Sequence, residues 1–184
     1  MKLGSLFLLS SLLISSYVQA AEKVGEIFDT DRIQRRIEAR DYSYFAFGPG
    51  SLSNLGVDDG GGSLSYGHIW ETTSWAAITA NLDGAAAFGD TAASIVTGTL
   101  GANFYLTPTA VSPYLGFGFG YGAAASSADG VDSVASWAGG ASLGVALFRT
   151  SSTQMHISGR YQTIFKKNDE GQPSQASLVL GIAF

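Results

Sequence analysis

The sequence predicts an all-β chain: an eight-stranded antiparallel up-and-down transmembrane β-barrel over residues 41–184. Three observations predict it. Eight stretches place apolar or aromatic residues at every second position, the period of a strand rather than of a helix. The connections between these stretches read alternately long and short, as the two rims of a membrane barrel do. The chain is 46% apolar and only 14% charged, yet beyond its first 20 residues it has no run of 18 apolar residues that would span as a helix.

Residues 1–20, "MKLGSLFLLSSLLISSYVQA", read as a secretory signal peptide. Lys2 precedes an apolar stretch from Leu3 to Ile14, and Val18 and Ala20 stand where a signal peptidase cuts. The apolar core is short and diluted with serine, which argues against a retained membrane helix. The sequence contains no cysteine, so no lipoprotein anchor, disulfide scaffold or cysteine-based zinc site is expected. Residues 21–40, "AEKVGEIFDTDRIQRRIEAR", form a periplasmic N-terminal segment. Thr30 or Asp31 is placed to cap a short helix carrying Ile33 and Ile37. Two isoleucines bury too little to hold such a helix alone. Arg32, Arg35, Arg36 and Arg40 suit either plain solvation or contact with anionic headgroups.

The first strand is read over "YSYFAFGPG" (42–50) and the second over "SLSYGHIW" (63–70), with Leu64, Tyr66 and Trp70 in phase. The third (74–83) aligns Ala76, Ile78, Ala80 and Leu82. The fourth (94–106) sets Val96, Leu100, Phe104 and Leu106 against Thr97, Thr99, Asn103 and Tyr105. The fifth, "PYLGFGFGYG", carries Leu115, Phe117, Phe119 and Tyr121 on one face and glycines on the other. The sixth (134–148) sets Trp137, Leu143, Val145 and Leu147 opposite Ser136, Gly140, Ser142 and Gly144. The seventh separates Met155, Ile157, Tyr161 and Phe165 from His156, Ser158, Arg160 and Gln162. The eighth, "ASLVLGIAF", lines up Leu178, Leu180, Ile182 and Phe184.

"SLSNLGVDDGGG", "GAAAFGDTA", "AASSADGVD" and "KKNDEGQPSQ" read as long connections; "ETT", "TPTAVS" and "RTSST" read as short ones. In hydrocarbon every backbone N–H and C=O needs an internal partner, so strands can span only as a closed barrel. Eight strands leave an interior just wide enough for side chains. The fifth strand then makes sense. Lipid solvates Leu115, Phe117, Phe119 and Tyr121, and on the eighth strand Leu178, Leu180 and Ile182, while Gly116, Gly118 and Gly120 relieve crowding within. Trp70, Tyr105, Tyr114, Trp137, Tyr161 and Phe184 fall near interface levels, with an inward alternative for Tyr105 and Tyr114.

Here the residues carry a family likeness. "GANFYLTPTAVSPYLGFGFGYG" resembles the strand–turn–strand hairpin of small outer-membrane barrels of the OmpA/OmpX-like type. Terminal Phe184, preceded by Ile182, Leu180 and Leu178, resembles the signal read by the barrel-assembly machinery. The likeness implies the outer membrane of a Gram-negative cell and outer-membrane lipid and lipopolysaccharide as partners. No second domain follows the eighth strand, so peptidoglycan tethering is not expected. A formal net charge of -5 leaves no footprint for nucleic acid. The expected state is a monomer, without cofactor or metal.

Arg160, inward on the seventh strand, needs a counter-charge in a dry lumen. Asp83, Glu71 and Asp132 are the available acids, with Asn103, Tyr105, His156 and Gln162 as polar neighbours. That set predicts a network filling the lumen; the alternative is a charged constriction in a narrow pore for small solutes or ions. His156, Ser158 and Glu170 resemble the spacing in outer-membrane lipid A deacylases, whose chemistry needs a base within reach of the serine and an acid orienting the base. Three features oppose it. Gly159 stands where that family carries asparagine, and Ser158 points into the lumen. Glu170 also lies at the far end of the strand from His156, roughly 20 Å away. His68 reads as an interface residue. "VDDGGG" lacks the spaced acids of a calcium loop, and "GFGFGYG" is followed by no helix, so it is no nucleotide fingerprint. Asp58, Asp59, Asp129 and Asp132 make an acidic rim, and Lys166 and Lys167 suit lipopolysaccharide phosphates. The function expected is non-enzymatic, structural or surface-interacting.

Overall fold

The computed structural model describes residues 40–57 and 60–184. The expected signal peptide lies outside the described residues, as do residues 21–39, Asp58 and Asp59. Eight antiparallel strands form one closed barrel: β1 (Asp41–Ser53), β2 (Gly60–Glu71), β3 (Ala76–Ala87), β4 (Ala93–Tyr105), β5 (Val111–Ser126), β6 (Val134–Leu147), β7 (Gln154–Ile164) and β8 (Ser174–Ala183). Each strand pairs with its sequence neighbour, and β8 returns to β1. Both chain ends of the barrel meet at this seam: Ser43 and Phe184 exchange backbone hydrogen bonds of 3.0 and 2.9 Å. Arg40 also joins this rim, its carbonyl accepting from the Glu71 N–H at 2.7 Å.

Several strands run farther than alternation alone suggests. β1 reaches Ser53, β3 reaches Ala87 and β5 reaches Ser126, so much of what reads as long connection is strand. Conversely, Ser74 and Phe148, expected in strands, lie in turns. The contrast in loop length between the two rims therefore shrinks. The physical reason is the narrow interior. Near the rim opposite the termini several inward positions are alanines, with Ala85, Ala87, Ala93 and Ala124 all buried. A run of small residues carries no large apolar beat, although its pleat continues unchanged.

Turns at the terminal rim are held by hydroxyls. Thr73 Oγ1 accepts from the Trp75 and Ala76 N–H groups at 3.2 and 3.0 Å. Ser112 Oγ contacts the carbonyls of Thr107 and Thr109, each at 2.7 Å, so these short side chains take the place of backbone partners. At the opposite rim the connections are stitched together. Asn168 Nδ2 donates to the Asn54 carbonyl at 2.8 Å, Asn54 Nδ2 donates to the Gln172 carbonyl at 2.7 Å, and the Gly56 N–H donates to Glu170 Oε2 at 3.1 Å. Ser126 Oγ donates to the Leu55 carbonyl at 2.6 Å.

The barrel is inside-out relative to a water-soluble sheet. Phe47, Leu100, Phe117, Leu143, Trp137 and Leu178 are all more than half exposed on the outer wall. Charged strand residues are Asp41, Glu71, Asp83 and Arg160; all but Asp41, at the very end of β1, point inward. Glycines on β4 show how tight the two faces are. A Cβ at inward Gly101 would collide with the Phe117 carbonyl and stand 2.9 Å from Gly118 Cα, whereas one at outward Gly98 would meet nothing within 4 Å. Gly101→Val is therefore expected to abolish barrel closure and Gly98→Val to leave it intact. Heat-modifiable electrophoretic migration of the refolded variants checks this, and equal behaviour of the two would contradict it.

Candidate functional site

The lumen is filled in three tiers. At the terminal rim the β6–β7 turn delivers Arg149, because Phe148 takes a left-handed φ of 58° and turns the next side chain inward. Arg149 Nε lies 2.8 Å from Glu71 Oε1, and both side chains are fully buried. Tyr42 OH donates to the same carboxylate oxygen at 2.8 Å. Arg149 Nη1 donates to the Ser74 carbonyl at 2.8 Å, and the guanidinium carbon lies 3.4 Å from the centre of the Tyr105 ring. Among the described residues Glu71 Oε2 and Arg149 Nη2 have no hydrogen-bond partner, so the pair is held through Nε, Nη1 and Oε1 against a desolvation cost of several kcal/mol per ion.

The middle tier is built on Asp83 of β3 and Arg160 of β7. Arg160 Nη1 lies 2.7 Å from Asp83 Oδ1 and donates to Tyr44 OH at 3.0 Å, while Nε donates to Ser158 Oγ at 3.2 Å. Gln162 Nε2 donates to Asp83 Oδ2 at 2.6 Å. Ser65 Oγ donates to Asp83, and both Thr97 Oγ1 and Gln175 Nε2 donate to Gln162 Oε1. Tyr44 OH in turn donates to Asn81 Oδ1 at 2.8 Å. Beside this network lies a cavity of about 40 Å³, lined in part by Asn81, Asn103, His156 and Arg160. That has room for only a few waters. His156 is wedged between the tiers, its ring within 6.3 Å of Tyr42 and Tyr44 and 5.9 Å of Tyr114. Among the described residues its Nε2 has no hydrogen-bond partner.

The third tier is apolar. Leu52, Leu55, Ile95, Val134 and Ile164 form a buried cluster with alanines from four strands, and Val57 and Val131 close over it. Leu55 comes from the β1–β2 connection, yet it is completely buried. Each fully buried leucine or isoleucine here stabilises by roughly 1.5–3 kcal/mol.

The structure thus divides the polar set that the sequence groups together. Asp83, Arg160, Gln162 and His156 share the middle of the lumen, and Asn103 lines the cavity there, over Gly116. Tyr105 does not join them: it lies under Arg149 at the terminal rim. Glu71 is taken by Arg149 rather than Arg160, and Asp132 is exposed in the β5–β6 connection. Arg149 escapes a reading by alternation because the backbone reversal at Phe148 breaks the parity. The one hint is Glu71, an acid without a partner at the end of the second strand. Of the deacylase-like trio, Ser158 Oγ accepts from Arg160 and Glu170 is bonded in the outer connections to Gly56. The three are not assembled. Tyr105 and Tyr114 point inward, and His68 is half-buried on the wall, its Nδ1 3.2 Å from Ser43 Oγ and its ring 4.5 Å from that of Trp70. Leu115, Phe117, Phe119, Tyr121, Leu178, Leu180, Ile182 and Phe184 are exposed on the outer wall.

A closed eight-stranded antiparallel barrel with an apolar outside and a filled polar inside is the architecture of the small outer-membrane barrels. No family model and no curated protein matches the chain. Solved structures do. Neisserial surface protein A superposes with a TM-score of 0.66 at 17% identity, over 78% of this chain and 95% of that one. Ail, the attachment invasion locus protein of Yersinia pestis, gives 0.54 at 18% identity, over 80% and 99%. The N-terminal barrel domain of Pseudomonas aeruginosa OprF gives 0.53 at 13% identity, over 80% and 98%. At such identities the likeness is one of fold.

Removing one partner of the terminal-rim pair strands a buried charge. Glu71→Leu is expected to cost about 3–5 kcal/mol, and the double change Glu71→Leu/Arg149→Met much less. Urea unfolding in detergent micelles measures both; a double variant as unstable as the single one would contradict the pairing.

Proposed function

We propose that this chain is an exported outer-membrane barrel with a closed lumen and a non-enzymatic role, structural or in surface interaction. The observation that carries this reading is the reversal of polarity: ion pairs and hydrogen bonds inside, large apolar side chains outside. Monomeric water-soluble proteins do not expose such a belt, and hydrocarbon is the solvent that suits it. Outer-membrane location is further supported by the shared fold with barrels of that compartment. Both strand termini at one rim suit a periplasmic side there, with the stitched connections outside. Phe184, exposed at the end of the last strand, is available to the barrel-assembly machinery. The outer surface offers Asp90, Asp129, Asp132 and Asp169 beside Lys166 and Lys167, all exposed.

Against conduction stand the apolar stopper and the small size of the central cavity. Against lipid A hydrolysis stands the separation of Ser158 and Glu170, each with its own partner at a different level. In planar bilayers the purified protein is expected to give no discrete conductance steps; steady unitary steps that disappear in Arg160→Leu would establish the pore instead. Cells expressing it are expected to keep unchanged lipid A acylation. A change abolished by Ser158→Ala would overturn the non-enzymatic reading.

A further inference from the structure

The hydrogen-bonded register carries one row of outward residues around the wall. Phe45 stands opposite Tyr66, Tyr66 opposite Leu82, Leu82 opposite Gly98, Gly98 opposite Tyr121, and Tyr121 opposite Trp137. The Phe165 N–H then donates to the Trp137 carbonyl at 2.9 Å, which extends the row to the outer end of β7. Every member is large and apolar except Gly98. The gap opens into a groove of about 810 Å³, floored by Ala80, Gly98 and Gly120 and walled by Leu82, Leu100 and Tyr121.

Beyond Tyr121 the rings form a continuous shelf. Phe119 and Trp137 stack at 5.3 Å and 15°, and Tyr121 meets Trp137 edge-on at 6.0 Å. Phe165 lies 6.0 Å from Phe119. Gly139 lets it lie flat: a Cβ there would come within 2.8 Å of Phe165 Cζ. Lys166 and Lys167 follow at once, both exposed, and neither is in an ion pair among the described residues. Of the acids in the same connection, Asp169 is exposed and Glu170 is bonded to Gly56.

Gly98 is three strand spacings from Phe165, about 15 Å, and strand tilt places it deeper in the wall than the lysines. With strands tilted by roughly 45°, that separation around the wall sets Gly98 about 10 Å deeper than Phe165, within the roughly 15 Å hydrocarbon of one leaflet. We propose that the Gly98 groove and the aromatic shelf seat acyl chains of a phosphorylated outer-leaflet glycolipid, with its phosphates held by Lys166 and Lys167. The site spans β3 to β7, broader than a two-chain phospholipid presents, and paired cations suit phosphate at the membrane surface. This assignment rests on the outer-membrane reading given above.

The test is lipid retention by the folded chain, measured by native mass spectrometry from detergent. The probes are bisphosphorylated lipid A, its dephosphorylated form and phosphatidylglycerol. Wild type is expected to retain bisphosphorylated lipid A at least fivefold over either alternative. Lys166→Gln/Lys167→Gln and Gly98→Leu are each expected to lower that retention at least fivefold. Because an added side chain at Gly98 meets open space, Gly98→Leu folds, and heat-modifiable migration verifies it. Unchanged retention in either variant, or equal retention of phosphatidylglycerol, overturns the site while leaving the barrel's location untouched. Failure of the wild type to insert into vesicles overturns the membrane reading itself, and the lipid site with it.

Discussion

An eight-membered ring of strands leaves an interior that holds side chains and almost nothing else, and the residues of this chain are arranged around that narrowness. Closure through β1 and β8 removes every free sheet edge, so backbone groups are satisfied within the ladder. What remains is a packing problem inside a tube. Tyr114 lies where Gly144 provides no side chain, Tyr44 lies beside Gly67, and Asn103 lies beside Gly116. A large residue on one strand is matched by a missing one on its neighbour.

The same narrowness explains the charges. Two arginines are carried inside a barrel whose outer wall bears almost none. Each is matched by one carboxylate; Tyr44 and Ser158 take further donors of Arg160, the Ser74 carbonyl takes Arg149 Nη1, and Arg149 Nη2 has no partner among the described residues. Buried pairs of this kind contribute little net stability compared with apolar packing, but they are intolerant of losing one member. Their value lies in register: Asp83 ties β3 to β7, and Glu71 ties β2 to the β6–β7 turn, across the full width of the barrel. The apolar cluster at the other rim fills the tube there without any charge.

The outer wall follows a looser rule, because lipid fills whatever the side chains leave. Crowding forces a small residue there at Gly139, beneath the Phe165 ring, but not at Gly98, which is why that gap stands out in a row of large ones. At inward Gly101 a glycine is a steric requirement; at outward Gly98 it is a recess that a chain of hydrocarbon can enter. The two kinds of glycine look alike in the sequence and differ only in which way the pleat points.

Alternation along Leu115–Tyr121 and Leu178–Ile182 was enough to name the architecture and the inward or outward sense of nearly every strand residue, because side-chain direction in a strand is a local property with a period of two. Strand ends were less legible where alanine, serine and glycine carry no apolar beat, as at Ala85–Ala87 and Ala123–Ser126. The pairing of charges was beyond local reading altogether. Arg149 faces inward only because the chain reverses at Phe148, and it meets Glu71 only because closure of the ring brings the β6–β7 turn against the end of β2. Amino-acid order decides which face each residue takes; which residues from distant strands share a level of the lumen is decided by register and closure, which are set by all eight strands together.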